Sequence, residues 1–476
     1  MRILRDAPVW KDRRRILLLS YHFPPAETAG ALRWQKLAGH LEAAGWELDV
    51  VTLDSVSVTD SGVRALETLP PGTRVFGVPE GQLRTRQYSR SLSQRLKALR
   101  AALTRTAARV RSSEADHSWP GSLHRTEIGW HPLGQAIRRA YGAAFRLNLE
   151  RGWAKAAERT AAGLLEDPES RHEVVVTCGP PHLVHPAGLR LHRRFGLPFV
   201  MDTRDPWRFI ERIPEAIASP VWLGISRFLE ERCVREATLV ITNTEPAARL
   251  LRRTYPGQGP FLAVRNGSDL IRTAGGTRSG PFTVVFAGSI YLDRDPRPLF
   301  EAAARLVSER RLGTEDFRIL LVGNVTEFDG RPVRELAASA GLADFVELRA
   351  GVPRDELAGI LADAAVLVSL PQDSHLAIPS KIFEYAEYPA SLLAISAPGS
   401  ATARLLAGTS ADVVPPGSQD GIHEALARRF EQHRKGERPR PLAENPWFRR
   451  SSQAALLVEA LEAVAAPGQS PRTTSS

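Results

Sequence analysis

The sequence predicts an α/β protein made of two Rossmann-like, doubly wound parallel-sheet domains. Three observations predict it. Short β-rich apolar runs alternate with longer helical patterns along most of the 476 residues. Those runs are nearly continuous in apolar residues, as strands buried on both faces require. A glycine-rich stretch of low hydrophobicity then separates two sets of them. The first set lies at 15–20, 48–53, 173–177, 198–202, 238–242 and 261–264, and the second at 282–287, 317–322, 345–348, 365–370 and 392–395. Between the sets, 266–280 carries Gly267, Gly275, Gly276 and Gly280 and reads as an interdomain linker. The expected division is therefore 1–265, a linker at 266–280, and 281–445. A terminal segment at 446–466 with a helix over 451–464 follows, then a tail at 467–476 of disordered composition.

Composition bounds the function. The chain is 43% hydrophobic and 24% charged, average values for a soluble globular protein, which excludes a disordered polymer, a collagen-like repeat or a disulfide scaffold. The 63 Lys+Arg against 53 Asp+Glu leave a net charge of +10, which points to an anionic partner: nucleic acid, a phosphate-bearing ligand or a membrane surface. Cys178 and Cys233 are the two cysteines, too few for a zinc cluster or a disulfide framework. No run reaches the ~18 apolar residues of a membrane span, and the run at 16–20 is too short for a signal-peptide core. A cytoplasmic protein is expected.

One segment breaks the alternation. Across 84–111 stand nine basic residues and no acid, with Leu92, Leu96, Leu99, Leu103, Ala107 and Val110 recurring at three- and four-residue steps. A basic amphipathic helix of this kind suits an anionic membrane surface, or packs on its own domain with solvated arginines. Nucleic-acid binding is disfavoured, because no aromatic residue interleaves the helix for base stacking.

The strand ends carry the chemistry. The first strand runs into YHFPPAETAG, where Gly30 precedes a helix and lets backbone approach a ligand. No G-x-G-x-x-G follows any strand, which disfavours a dinucleotide-dependent oxidoreductase. The strand at 173–177 ends in CGPPHLVH and brings His182 and His185 to a sheet edge; the next leaves Asp202, Arg204 and Asp205 close together, either as a site or as loop-capping carboxylates paired with Arg204. The histidines lack convincingly spaced further ligands for a metal. The second domain opens with FAGSIYLDRDPRP, another strand, glycine turn and helix start, with Arg294 and Arg297 available to phosphate oxygens. Asp293 and Asp295 there read better as helix-start caps than as a metal-diphosphate pair. In IPSKIFEY, Ser380 and Lys381 open a helix toward an anion, and Glu384 follows one turn later, placed to accept from a ribose diol. Lys381 is one of only six lysines in an arginine-rich chain, so a compact point charge there is informative.

Taken together, YHFPPAETAGALRW, CGPPHLVH, DTRDPW, the FAGS loop, LRAGVPRDEL and IPSKIFEY, in that order, resemble the family-4 retaining glycosyltransferases of GT-B fold, especially their bacterial cell-envelope branch. The resemblance implies two Rossmann-like domains facing a cleft, a nucleotide-sugar donor (UDP-sugar by default) on the second domain and a glycan or lipid-linked acceptor on the first. It implies that Gly288 and Ser289 approach the diphosphate, that Arg294 and Lys381 neutralise it, and that Ser380 lies beside it. Gly351 and Val352 would line the base, Glu384 hold the ribose and Gly30 admit the phosphates. His182, His185 or Asp205 would meet the sugar or acceptor, and the terminal helix would cross back onto the first domain. It implies no metal and no other cofactor, because the leaving phosphate takes the acceptor proton in a front-face reaction. The chain departs from the family at three points: Leu376 stands at the first position of Glu-x7-Glu, Tyr388-Pro389 replaces a glycine-proline turn, and Ser289 replaces an arginine. Two other readings remain at this stage. One is a nucleotide-sugar epimerase or hydrolase on the same fold, and the other a non-enzymatic binder of nucleic acid or anionic surfaces.

Overall fold

Apolar runs shielded on both faces form two largely parallel sheets in the computed structural model. It describes residues 1–10, 12–26, 28, 30–54, 59–79, 132–204, 207, 220–272, 280–291, 294–370 and 375–466. The basic segment 84–111, Asp205, Asp293 and the tail lie outside the described residues. By contact density the described chain divides into 1–203 with 220–238, and Arg204, Trp207 and 239–466.

The first sheet comprises β1 (Arg2–Arg5), β2 (Arg14–Ser20), β3 (Trp46–Leu53), β4 (Thr73–Val78), β5 (His172–Cys178), β6 (Phe199–Arg204), β7 (Leu239–Thr242) and β8 (Phe261–Ala263). Its order is β1-β4-β3-β2-β5-β6-β7-β8, and β1 pairs antiparallel with β4 at the edge. Helices α1 (Leu32–Ala43), α2 (Asp60–Glu67), α3 (Pro132–Glu166), α4 (Val184–Phe195), α5 (Pro220–Glu236) and α6 (Glu245–Thr254) connect them. Leu17, Leu19, Val51 and Val175 pack against Trp153, Ala157 and Ala161 of α3 and Val184, Ala187 and Leu191 of α4. Small residues on the helices let them lie close to the sheet. Asp49 of β3 anchors a buried ionic knot at the amino ends of the strands. Arg15 reaches it at 2.6 Å, Arg74 Nε at 2.8 Å and His172 Nε2 at 2.9 Å, while Arg15 also binds Glu47. Burial alone would raise the Asp49 pKa, but hydrogen bonds from Arg74 and His172 and the charge of Arg15 hold it well below the usual carboxylate range.

The second sheet comprises β9 (Phe282–Ser289), β10 (Phe317–Asn324), β13 (Val346–Arg349), β14 (Val366–Ser369), β15 (Ser391–Ile395) and β16 (Asp412–Val414). A two-residue ribbon, β11 (Glu327–Phe328) with β12 (Arg331–Pro332), stands apart from it. The connecting helices are α7 (Arg297–Arg310), α8 (Val333–Ser339), α9 (Arg354–Asp363), α10 (Ser380–Tyr385), α11 (Ala401–Leu406) and α12 (Gln419–Arg434), and α13 (Arg450–Ala465) ends the described chain. Along β9 the side chains sort with a period of two. Phe282, Val284 and Phe286 join one core cluster, and Val285 and Ala287 join another on the opposite face. Both faces are therefore covered, which is why the strand is apolar throughout. Phe282, fully buried, meets Phe317 at 6.0 Å and Phe430 of α12 at 5.5 Å edge-on. Truncating such a phenylalanine costs about 3–5 kcal/mol. The order β13-β10-β9-β14-β15-β16 is the doubly wound arrangement, its reversal falling between β9 and β14.

The glycine-rich stretch begins as a docked segment, not a free one. Ser268 N donates to Phe448 O at 2.7 Å, its Oγ donates to Phe383 O at 2.5 Å, and Arg450 N donates to Ser268 O at 2.9 Å. Gly267 is there for proximity, since a Cβ would come within 2.5 Å of Arg450 Cα.

Candidate active site

Open doubly wound sheets bind ligands beyond the carboxyl ends of their strands, where the strand order reverses. In the second sheet this point lies between β9 and β14, and the expected donor residues gather there. Gly288 and Ser289 end β9; Ser380, Lys381 and Glu384 ride on α10, which follows β14. A tyrosine of α10 ties the two elements together by hydrogen bonds. Tyr385, buried, accepts from Ala287 N at 2.8 Å and donates to Ala287 O at 3.3 Å. Burial pushes this phenol far above its ordinary pKa; the Ala287 hydrogen bond and the Arg294 charge lower it, and the Glu384 charge raises it. The fields of Arg294 and Glu384 thus reach the same hydroxyl.

Arg294 braces the turn after β9. Its Nη1 donates to Ser289 O at 3.0 Å and its guanidinium lies 4.5 Å over the Tyr291 ring. Arg297, the second arginine that the sequence makes available to phosphate, is forked onto Asp295, with Nε–O distances of 2.9 Å and Nη2–Oδ2 at 2.6 Å. Asp295 Oδ1 also accepts from Arg297 N at 2.9 Å, the capping role expected of it. Lys381 Nζ donates to Glu384 Oε2 at 2.6 Å, both side chains about a third exposed (34% and 38%). Such an exposed pair is worth ~0–1 kcal/mol and exchanges partners readily. Val352, after β13, packs in the cluster that holds Ile382, Phe383 and Tyr385 of α10, while Gly351 beside it is exposed. Leu376 offers its backbone: Leu376 O accepts from Thr244 Oγ1 at 2.5 Å.

The first sheet reverses between β2 and β5, and the two histidines sit at that end. His182 Nδ1 lies 3.3 Å from His185 Nε2, and His185 Nδ1 lies 2.8 Å from Thr177 Oγ1. Gly179 makes room for the pair, since a Cβ there would meet His182 Nδ1 at 2.6 Å and His185 Nε2 at 2.8 Å. Burial lowers the His185 pKa to about 3, against the raising charge of Asp202, so this ring is neutral at ordinary pH. His185 is fully enclosed and supports His182 from behind. Asp202, at the end of β6, accepts from Arg33 Nε and Trp34 Nε1, both at 2.8 Å. This anchor on α1 went unread in the sequence, although ALRW and DTRDPW both stood out there. Gly30 lies in the turn into α1, where Ala31 N donates to Thr28 O at 2.9 Å. Among the described residues no group of three or more His, Cys, Asp or Glu is arranged to hold a metal, and no described helix is long and apolar enough to cross a membrane.

Comparison with known proteins places the architecture. No family model matches the sequence. The structure of HepE from Anabaena in complex with UDP-glucose aligns with a TM-score of 0.57 at 14% identity, covering 94% of this chain and 99% of that one. Sucrose-phosphate synthase from Thermosynechococcus elongatus aligns at 0.55 and 16% identity, over 95% and 96% of the two chains. The fold is that of the GT-B glycosyltransferase structures. A curated D-inositol 3-phosphate glycosyltransferase from Nocardiopsis dassonvillei is 32% identical over 156 residues, 29% of this chain. The chain spans 36% of the length of that relative. In the GT-B frame, Ser289, Arg294, Lys381 and Glu384 stand at the switch point of the second sheet, and the histidine pair stands at that of the first.

Proposed function

We propose that the chain is a retaining glycosyltransferase. It transfers a sugar from a nucleotide-sugar, UDP-sugar foremost, to a glycan or lipid-linked acceptor of the cell envelope, at the cytoplasmic face of the membrane. The observation that carries the reading is the convergence at the β9–α10 junction. A turn braced by Arg294, a lysine and a carboxylate one helical turn apart, and Tyr385 tying both elements together occupy one switch point. A nucleoside diphosphate has the matching chemistry: two anionic phosphates and a vicinal diol. On binding, the ribose hydroxyls donate to Glu384 in place of Lys381, and the freed ammonium turns to the diphosphate with Arg294.

In transfer, the bond from the anomeric carbon to the diphosphate oxygen breaks. The acceptor oxygen bonds to the same face, and its proton passes to the departing phosphate. Lys381 and Arg294 stabilise the charge that develops there, so the step calls for neither a carboxylate base nor a metal. His182, held by His185, faces the sugar or acceptor. Partial identity to a curated inositol-phosphate glycosyltransferase and fold likeness to a UDP-glucose complex support a transferase reading.

The test is calorimetric binding of UDP and UDP-sugars together with donor turnover. Glu384→Ala and Lys381→Ala each remove a charged hydrogen bond, with an expected weakening of about ten- to a hundredfold. Unchanged affinity in both would refute the site. Donor consumption that needs no acceptor would point to a hydrolase or epimerase, and an inverted product anomer by NMR would refute retention.

A further inference from the structure

The second unit holds a cavity of about 230 Å³ that the proposed transfer does not use. Its floor is made by Ala365, just before β14, and Ser391, the first residue of β15. It therefore opens at the amino edge of the sheet, at the opposite end of the strands from Ser289 and Ser380. Its walls come from the end of α12 and the following turn, where the sequence HRKGERPR at 433–440 is strongly basic.

The charges around it are unequally matched. Arg429 is satisfied by Asp412 Oδ2 and Ser410 O, both at 2.6 Å. Arg434 faces Glu431 at 3.7 Å and Arg440 faces Glu444 at 3.9 Å. Arg438 makes no ion pair or hydrogen bond among the described residues, and its Nε is buried without an acceptor. A guanidinium N–H withdrawn from water with nothing to receive it is costly unless a ligand supplies the acceptor. Two more donors point the same way. Ser391 is 6% exposed and its hydroxyl is not engaged. Gln432 turns its Oε1 to Arg429 Nη1 at 2.9 Å, which leaves its amide N–H groups as what it has to offer. Glu437 is exposed at the rim. The volume is below the ~300 Å³ where drug-sized pockets begin, which suits a small ligand better than a nucleotide-sugar.

We propose that this cavity is a second ligand site that takes a small oxyanion, a phosphate or carboxylate compound. Arg438 anchors it, and Ser391 and Gln432 donate to its oxygens. The site is independent of the transferase reading, because none of its residues belongs to the donor junction.

The experiment is isothermal titration of the full chain with inorganic phosphate and, separately, with malonate. Saturable binding of either supports the site, and the one preferred tells phosphate from carboxylate chemistry. Arg438→Gln is expected to weaken binding about ten- to a hundredfold and Ser391→Ala by a smaller factor, while Lys381→Ala leaves it unchanged. If Arg438→Gln fails to fold, Arg438→Lys replaces it; the charge is kept but the fork is lost, and a several-fold weakening is expected. No saturation by about 10 mM of either anion overturns the proposal. So does binding abolished by Lys381→Ala but spared at Arg438, since the anion would then occupy the donor site.

Discussion

Tyr385 is the residue on which the geometry of the proposed donor junction turns, because its hydroxyl meets both backbone groups of Ala287 at the end of β9. Tyr385→Phe keeps the ring and leaves a buried N–H without its acceptor, which should cost about 1–3 kcal/mol in urea unfolding. It should also weaken UDP binding, since α10 is then less firmly set against the Ser289 turn; equal stability and equal affinity would disprove the positioning role. Ser380, Lys381 and Glu384 were readable in the sequence because they share one short motif. The partner of Tyr385 was not, because Ala287 lies 98 residues away. Arg294 and Arg297 looked interchangeable although their partners are local, because spacing alone does not say which arginine takes the carboxylate between them. What separates them is Asp295, whose carboxylate forks onto Arg297, while Arg294 turns back to Ser289.

At the scale of elements, most strands were legible as apolar runs, the edge strands β8 and β13 among them, whereas β1, β4 and β16 were not. β1 and β16 are short, and they exist through ladder bonds to β4 and β15, which no local pattern announces. β4 contains Gly77, a poor strand former, kept small because Leu4 of β1 crosses it; a Cβ would meet Leu4 at 2.9 Å. The start of the glycine-rich stretch was legible as a break but not as a docked segment. Glu387, beyond α10, clamps it by accepting from Asp269 N at 2.9 Å and Leu270 N at 3.3 Å. Burial raises the Glu387 pKa, against the lowering effect of those two hydrogen bonds and the charge of Arg272; the neighbouring Asp269 charge raises it further. Between the ordinary value and the raised one, the folded chain keeps a proton that the unfolded chain has released. Its contribution to stability therefore declines as pH rises through that window. Glu387→Gln retains an acceptor without the charge. It should melt higher than the parent at pH 7–8, and the difference should vanish near pH 4; a gap independent of pH would contradict the burial argument.

Over the whole molecule the balance with acid runs the other way. His185 titrates at 6.5 when unfolded and at about 3 when folded, so the unfolded chain binds more protons between those values and stability falls as pH drops through them. Asp49, held low by Arg74 and His172, adds to the loss at still lower pH, once its carboxylate must be protonated. Thermal melts from pH 7 to pH 3 should show a steep decline that His185→Gln makes shallower; parallel curves would exclude the buried imidazole as its cause. The net charge of +10 is likewise a sum of unlike parts. Many described arginines are matched by carboxylates, Arg15, Arg33, Arg74, Arg190, Arg193 and Arg429 among them.

The Lys381–Glu384 pair has one more consequence. On the proposed reading, a bare phosphate that takes Lys381 leaves Glu384 without its cation, a penalty bounded by the ~0–1 kcal/mol that the exposed pair is worth. A ligand that satisfies both partners at once, with hydroxyls for the one and phosphates for the other, avoids that penalty. The pair would so act as a mild filter, shifting the proposed junction at most about five-fold toward a molecule that joins the two and away from free phosphate and free sugars.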